Sequence, residues 1–167
     1  TAGVKARQDV ETIFKWNNLK KIEIPCLIEG RENKTRLGKI KAHYDVYMLW
    51  KNALKKIKKN DWIYIQFPLL EHTMLFSLLI KNLEKRGIHT SIIIHDVEAI
   101  RFTLRNDVPL SRKIRMRFEE ISSFKNCSKI IVHNEKMKSF MHEKWKIHKD
   151  KMDILGIFDY LVENYNE

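Results

Sequence analysis

The sequence predicts an α/β domain: a Rossmann-like parallel sheet with helices on both faces. Two observations lead there. Short β-rich runs alternate along the chain with stretches whose apolar residues recur at helical spacing. The run His89–Ile94 is continuous and β-branched, as expected of a central parallel strand covered on both sides.

Each element can be justified in order. Ala2–Asn17 reads as a helix, with Ala6, Val10, Ile13 and Phe14 on one face. Lys20–Pro25 alternates as a short strand does, and Glu29–Thr35 is a polar loop around Gly30. Arg36–Lys59 reads as a long amphipathic helix through Leu37, Ile40, Tyr44, Met48, Trp50, Leu54 and Ile57. Asp61–Phe67 is β-rich and is stopped by Pro68. Glu71–Arg86 is a buried helix with Gly87 placed to close it.

After the strand His89–Ile94, Asp96–Asn106 reads as a loop containing at most a short helix. Arg112–Phe124 returns to helical spacing through Ile114, Phe118, Ile121 and Phe124. Lys129–Val132 is a buried strand, and Asn134 is placed to cap a helix over Glu135–Lys146. Met152–Leu155 is a last strand, and Phe158–Tyr165 reads as a helical tail. The aromatic residues fall at core spacing.

Composition narrows the classes. A chain of 167 residues supports one well-buried core rather than two ordinary domains. With 44% hydrophobic residues it has enough apolar surface to offset the entropy of ordering, which excludes wholesale disorder. No apolar stretch approaches the ~20 residues of a membrane span. Cys26 and Cys127 stand far apart with no CxxC or Cys/His cluster, which argues against a zinc site or a disulfide scaffold. No signal peptide is read at the start, so a cytoplasmic domain is expected. The absence of an initiator Met before Thr1 leads us to expect an excised or processed piece.

The formal net charge of +11 implies an anionic partner: nucleic acid, an acidic membrane surface or a phosphorylated ligand. Lys55, Lys56 and Lys59, with Arg112 and Arg115, are the candidate anion- or membrane-binding residues. A solvated helix face is the plain alternative for both groups. A nucleic-acid-binding module would need basic and aromatic residues mixed on one exposed face, so core-spaced aromatics weigh against it.

In a parallel sheet the ligand site lies beyond the carboxyl ends of the strands. That rule selects Phe67-Pro68, His95-Asp96, His133-Asn134 and Gly156. His95, Asp96 and Glu98 are the candidate catalytic residues, because a hydroxyl is a weak nucleophile until a base takes its proton. Two readings of Asp96 stand side by side: a ligand-facing base, or a cap for the next helix. Asp96-Val97-Glu98 also has the look of a metal-binding acidic pair, but one triplet without further ligands is a weak signal and no metal is expected. Arg101 is a candidate for phosphate or acidic glycolipid, and His133 and Asn134 are candidate contacts or simply loop and cap. Thr1 and Gly3 open the first helix, where a small turn can approach phosphate. No GxGxxG, GxxxxGK[ST] or GxSxG occurs.

Several segments together carry a family likeness. Thr1-Ala2-Gly3-Val4-Lys5-Ala6-Arg7, Gln66-Phe67-Pro68-Leu69, Ile94-His95-Asp96-Val97-Glu98, Ile131-Val132-His133-Asn134-Glu135-Lys136-Met137 and Ile157-Phe158-Asp159-Tyr160-Leu161 occur in this order. Over nearly its whole length the chain resembles the N-terminal half of bacterial galactofuranosyltransferases and related glucosyltransferases of surface polysaccharide and glycoprotein assembly. The resemblance implies a GT-B arrangement, two Rossmann-like domains facing across a cleft, without an essential metal or cofactor. This half would hold the glycan, glycolipid or glycoprotein acceptor, and a second domain the UDP-sugar donor, which the resemblance makes UDP-galactofuranose first and UDP-glucose second. It implies that Thr1 and Gly3 line the cleft near the donor phosphates, with Phe67, His95, Asp96, Glu98, His133 and Asn134 at the strand ends. Peripheral contact with the acidic inner face of a membrane is expected, and the sequence leaves homo-oligomerisation open. A non-catalytic partner module of a transferase is the alternative from another class.

Overall fold

The computed structural model describes residues 2–24, 35–69, 73–101 and 107–156. Four strands, β1 (Trp62–Phe67), β2 (His89–Ile94), β3 (Lys129–Val132) and β4 (Met152–Ile154), pair in parallel in the order β1-β2-β3-β4. The helices are α1 (Ala2–Trp16), α2 (Arg36–Ala53), α3 (Phe76–Lys85), α4 (Glu98–Arg101), α5 (Leu110–Met116), α6 (Ser122–Asn126) and α7 (Glu135–Trp145). A π-helical turn, Arg117–Ile121, joins α5 to α6, and a 3₁₀ turn, Lys149–Lys151, precedes β4.

The register explains the core. Ile65 sits opposite Ile92, Ile92 opposite Ile130, and Ile130 opposite Met152. These four side chains form one buried row across one face of the sheet. Phe67 projects from the same face onto Phe124 of α6, edge to face with centroids 5.2 Å apart. Phe124 in turn stacks on Trp145 of α7 at 6.1 Å. Burial of each such ring contributes on the order of 2–3 kcal/mol, so this stack anchors α6 and α7 to the sheet. Leu79, Ile80 and Leu83 of α3 complete the layer. Alternation turns Tyr64 and Gln66 to the opposite face, where α1 lies: the rings of Phe14 and Tyr64 are 5.2 Å apart. Helices therefore cover both faces, as the pattern predicts.

Polar stitching holds the strand starts. The Glu84 carboxylate of α3 accepts from Thr90 N (2.8 Å) and Ser128 N (2.9 Å) and from the Ser128 hydroxyl (2.6 Å). One side chain thereby ties α3 to both β2 and the approach to β3. Gly87 closes α3 at φ +73, with Gly87 N donating to Glu84 O (2.9 Å) and Ile88 N to Leu83 O (3.1 Å), a Schellman termination.

Several sequence expectations need correction. Lys20–Glu23 is exposed and Lys20–Ile24 is irregular rather than a strand; Lys21 instead pairs with Glu11 and Glu23, each at 3.0 Å. The helix expected to reach Lys59 ends at Ala53. Beyond it Lys55, Lys56, Lys58 and Lys59 would stack like charges at helical neighbour spacing, and Asp61 instead accepts the Lys58 N–H (2.8 Å) in a turn. The expected helix Arg112–Phe124 begins at Leu110 and is interrupted by the π turn, which lets two consecutive residues, Glu119 and Glu120, both face inward. The aromatics are not all core: Trp16, Tyr44, Trp62, Tyr64 and Phe118 are exposed. The helix expected from Glu71 begins at Phe76, after a turn at Met74 and Leu75. The loop expected at 29–34, Glu71 itself, Cys26 and the tail Phe158–Tyr165 lie outside the described residues.

Candidate functional site

The carboxyl ends of β1, β2 and β3 bring Gln66, Pro68, His95 and His133 together, with Arg7 reaching in from α1. Gln66 projects from the α1-covered face of β1, and His95 follows β2 on that same face by alternation. The His95 Nε2 lies 2.8 Å from Gln66 Oε1. Gln66 Nε2 donates to the Arg7 backbone oxygen at 3.4 Å, which fixes the amide orientation and leaves Oε1 as acceptor. Nε2 of His95 is then the protonated nitrogen and Nδ1 the unprotonated one. His133 Nε2 lies 3.3 Å from the His95 carbonyl oxygen, drawing the ends of β2 and β3 together. Arg7 donates through its guanidinium to the Pro68 carbonyl.

These neighbours set the electrostatics. Burial, the Arg7 cation and His133 together lower the His95 imidazole to about 4. His95 is therefore neutral throughout the physiological range and able to accept a proton. Burial also draws Arg7 below its ordinary value, against the opposing charge of Glu11, although a guanidinium remains a cation there.

The carboxylates beyond β2 are engaged. Asp96 pairs with Arg101 and accepts the Val97 N–H at 2.8 Å. Glu98 pairs with Arg112 and Arg115, Arg112 Nε lying 2.9 Å from Glu98 Oε1. Burial raises Glu98, but the two guanidinium groups prevail and hold its carboxyl below the usual range. Arg112 and Arg115 thus neutralise Glu98, whereas Lys55, Lys56 and Lys59 are exposed near the amino ends of the strands, where Arg86 donates to Ile57 O at 2.9 Å. The five residues expected to bind anions or a membrane do not share one patch. Among the described residues, no group of three or more His, Cys, Asp or Glu side chains assembles to hold a metal ion.

The other expected site residues divide. The Phe67 ring is fully buried in the core, so this strand end presents backbone: Phe67 O accepts the His95 N–H at 2.8 Å. Asn134 caps α7 by accepting the Met137 N–H at 2.9 Å. Gly3 lies in the first turn of α1, and Thr1 lies outside the described residues. Sequence reasoning missed Arg7 and Gln66. A signal existed for Arg7, which shares a helical face with Val10 and Phe14, an odd place for a cation. Gln66 is the polar residue at the end of an otherwise apolar strand.

None of the described helices is long and apolar enough to cross a membrane. No curated protein matches the chain in a sequence search. The family described as "Glucosyltransferase 3-like, N-terminal domain" matches residues 1–157. The chain therefore belongs to the glucosyltransferase 3-like N-terminal domain family.

Proposed function

We propose that this domain is the acceptor-side half of a sugar transferase that moves a hexosyl group from a UDP-sugar to a glycan, glycolipid or glycoprotein acceptor in bacterial surface assembly. A second domain supplies most of the donor site. The family description favours UDP-glucose as donor, and the segment likeness to galactofuranosyltransferases keeps UDP-galactofuranose as the competing donor.

The observation that carries the reading is the neutral His95 at the carboxyl end of β2, oriented by Gln66 and flanked by the Arg7 cation. In transfer, the acceptor oxygen attacks the anomeric carbon and the bond from that carbon to the UDP oxygen breaks. The hydroxyl proton passes to His95 Nδ1 as the bond forms. Arg7 serves twice: its charge adds to burial in keeping the imidazole unprotonated, and it offers a cation at the edge where a departing diphosphate carries negative charge. Asp96, held by Arg101, shapes the loop beside the base.

The test is transfer of labelled sugar by the intact polypeptide that contains this domain, offered UDP-glucose and UDP-galactofuranose in parallel, with and without chelator. Chelator-resistant transfer from one donor supports the proposal. A folded protein that transfers from neither donor points instead to a non-catalytic module of a transferase.

A further inference from the structure

Glu120 stands outside the strand-end cluster, yet its carboxylate reaches back to it. Glu120 lies on the π-helical turn and is 2% exposed. Its Oε2 accepts the Ala99 N–H at 2.7 Å. Ala99 is the second residue of α4, which follows directly on His95-Asp96-Val97. The first turn of a helix has N–H groups without intrahelical acceptors, and here a distant side chain supplies one. The neighbouring contacts are of the same kind: Asp96 Oδ1 accepts the Val97 N–H, and Glu98 is gripped by Arg112 and Arg115. A π turn that turns two adjacent glutamates inward is a costly feature, and a buried carboxylate is costlier still unless bonded. Glu119 pairs with Arg115 at 3.2 Å, and the use of the Glu120 carboxylate is the hydrogen bond from Ala99.

We propose that Glu120 is a positioning residue: through the Ala99 N–H it fixes the first turn of α4 and so the angle at which His95 and Asp96 leave β2. The structural part of this proposal stands on the geometry, and its kinetic part rests on the transferase reading above. The charged groups facing Glu120 are Glu98 on α4, Glu119 beside it on the π turn and Arg115 on α5. Burial, with Glu98 and Glu119 adding to it, pushes the Glu120 carboxyl up to about 7 against the opposing Ala99 N–H and Arg115. Glu98 and Glu119 oppose a charge on Glu120, whereas the Ala99 N–H favours it, so the hydrogen bond to Ala99 is kept in both protonation states.

The experiment compares wild type, Glu120→Gln and Glu120→Ala in the intact polypeptide by amide exchange at Ala99 and by kcat and KM for sugar transfer across neutral pH. Glu120→Ala should speed Ala99 exchange by about tenfold or more. It should lower kcat by about tenfold with KM for the donor little changed. Glu120→Gln, which keeps the acceptor, should restore both. Unchanged Ala99 exchange in Glu120→Ala overturns the proposal. So does a Glu120→Ala protein with faster exchange but wild-type kcat, since the carboxylate then serves the fold alone. If the wild type transfers no sugar, the transferase reading fails by itself, and Ala99 exchange still decides whether the clamp exists.

Discussion

Gln66 of β1 and His95, which follows the adjacent parallel strand β2, are joined across the end of the sheet by a 2.8 Å contact between Oε1 and Nε2. That contact selects the tautomer that leaves Nδ1 as the proton acceptor. The Gln66 amide is itself oriented by the α1 backbone, so three elements converge on one ring.

Gln66→Leu removes the acceptor while keeping the bulk. A half-buried hydrogen bond of this kind contributes about 1 kcal/mol. Transfer should therefore fall by roughly fivefold if orientation of His95 is its main role. Imidazole nitrogen shifts measured by NMR should show mixed tautomers in place of one.

Arg7→Met tests the electrostatic pairing. His95 titrates at about 4, with burial, Arg7 and His133 as causes in that order. Removing the cation should move the titration upward toward the ordinary value of about 6.5. The linked stability follows in sign. The unfolded chain takes up the proton below about 6.5 and the folded one only near 4, so the contribution is complete above about 6.5 and is lost as pH falls through that window. Urea unfolding of Arg7→Met should show a shallower acid loss than wild type over the same range.

Much of this fold was legible in the sequence, and the reasons are physical. The β-branched run His89–Ile94 and the alternating Ile63, Ile65 and Phe67 have few other homes than a parallel sheet, and Gly87 and Asn134 mark helix ends by chemistry that acts locally. The strand-end rule selected His95 and His133. Glu120 was invisible because its role depends on a π turn that shifts the helical phase, and periodicity assumes that phase is constant. Lys20–Ile24 misled because alternation predicts a strand only where a neighbouring strand accepts its hydrogen bonds. The ion pairs of Glu98 with Arg112 and Arg115 are tertiary contacts, so composition read those arginines as surface charge.

Glu120→Gln has a stability signature of its own. The folded carboxyl keeps its proton to about pH 7, and the unfolded one loses it near 4.5. The Glu120 contribution to wild-type stability should therefore fall as pH rises from about 4.5 to about 7 and level off above that, opposing the His95 contribution over much of the same window. The glutamine variant lacks this contribution, so its stability relative to wild type should rise across that window and be the greater of the two at pH 8, as measured by urea midpoints.

Gly87→Ala examines the end of α3. The backbone there has φ +73, and an added Cβ would lie 2.9 Å from Lys59 Cγ. The left-handed conformation alone costs about 1–2 kcal/mol for an alanine. The lysine side chain can move aside, so the expected loss stays near that figure, seen as a lower melting temperature without change in sugar transfer.

The account turns on His95 as the acceptor-side base. The most direct measurement is the rate of labelled-sugar transfer by the intact polypeptide, wild type against His95→Ala, with folding of both checked by circular dichroism. The account predicts transfer by the wild type from UDP-glucose or UDP-galactofuranose and a loss of about 10²–10⁴-fold in the folded variant. Transfer by His95→Ala at the wild-type rate would contradict it.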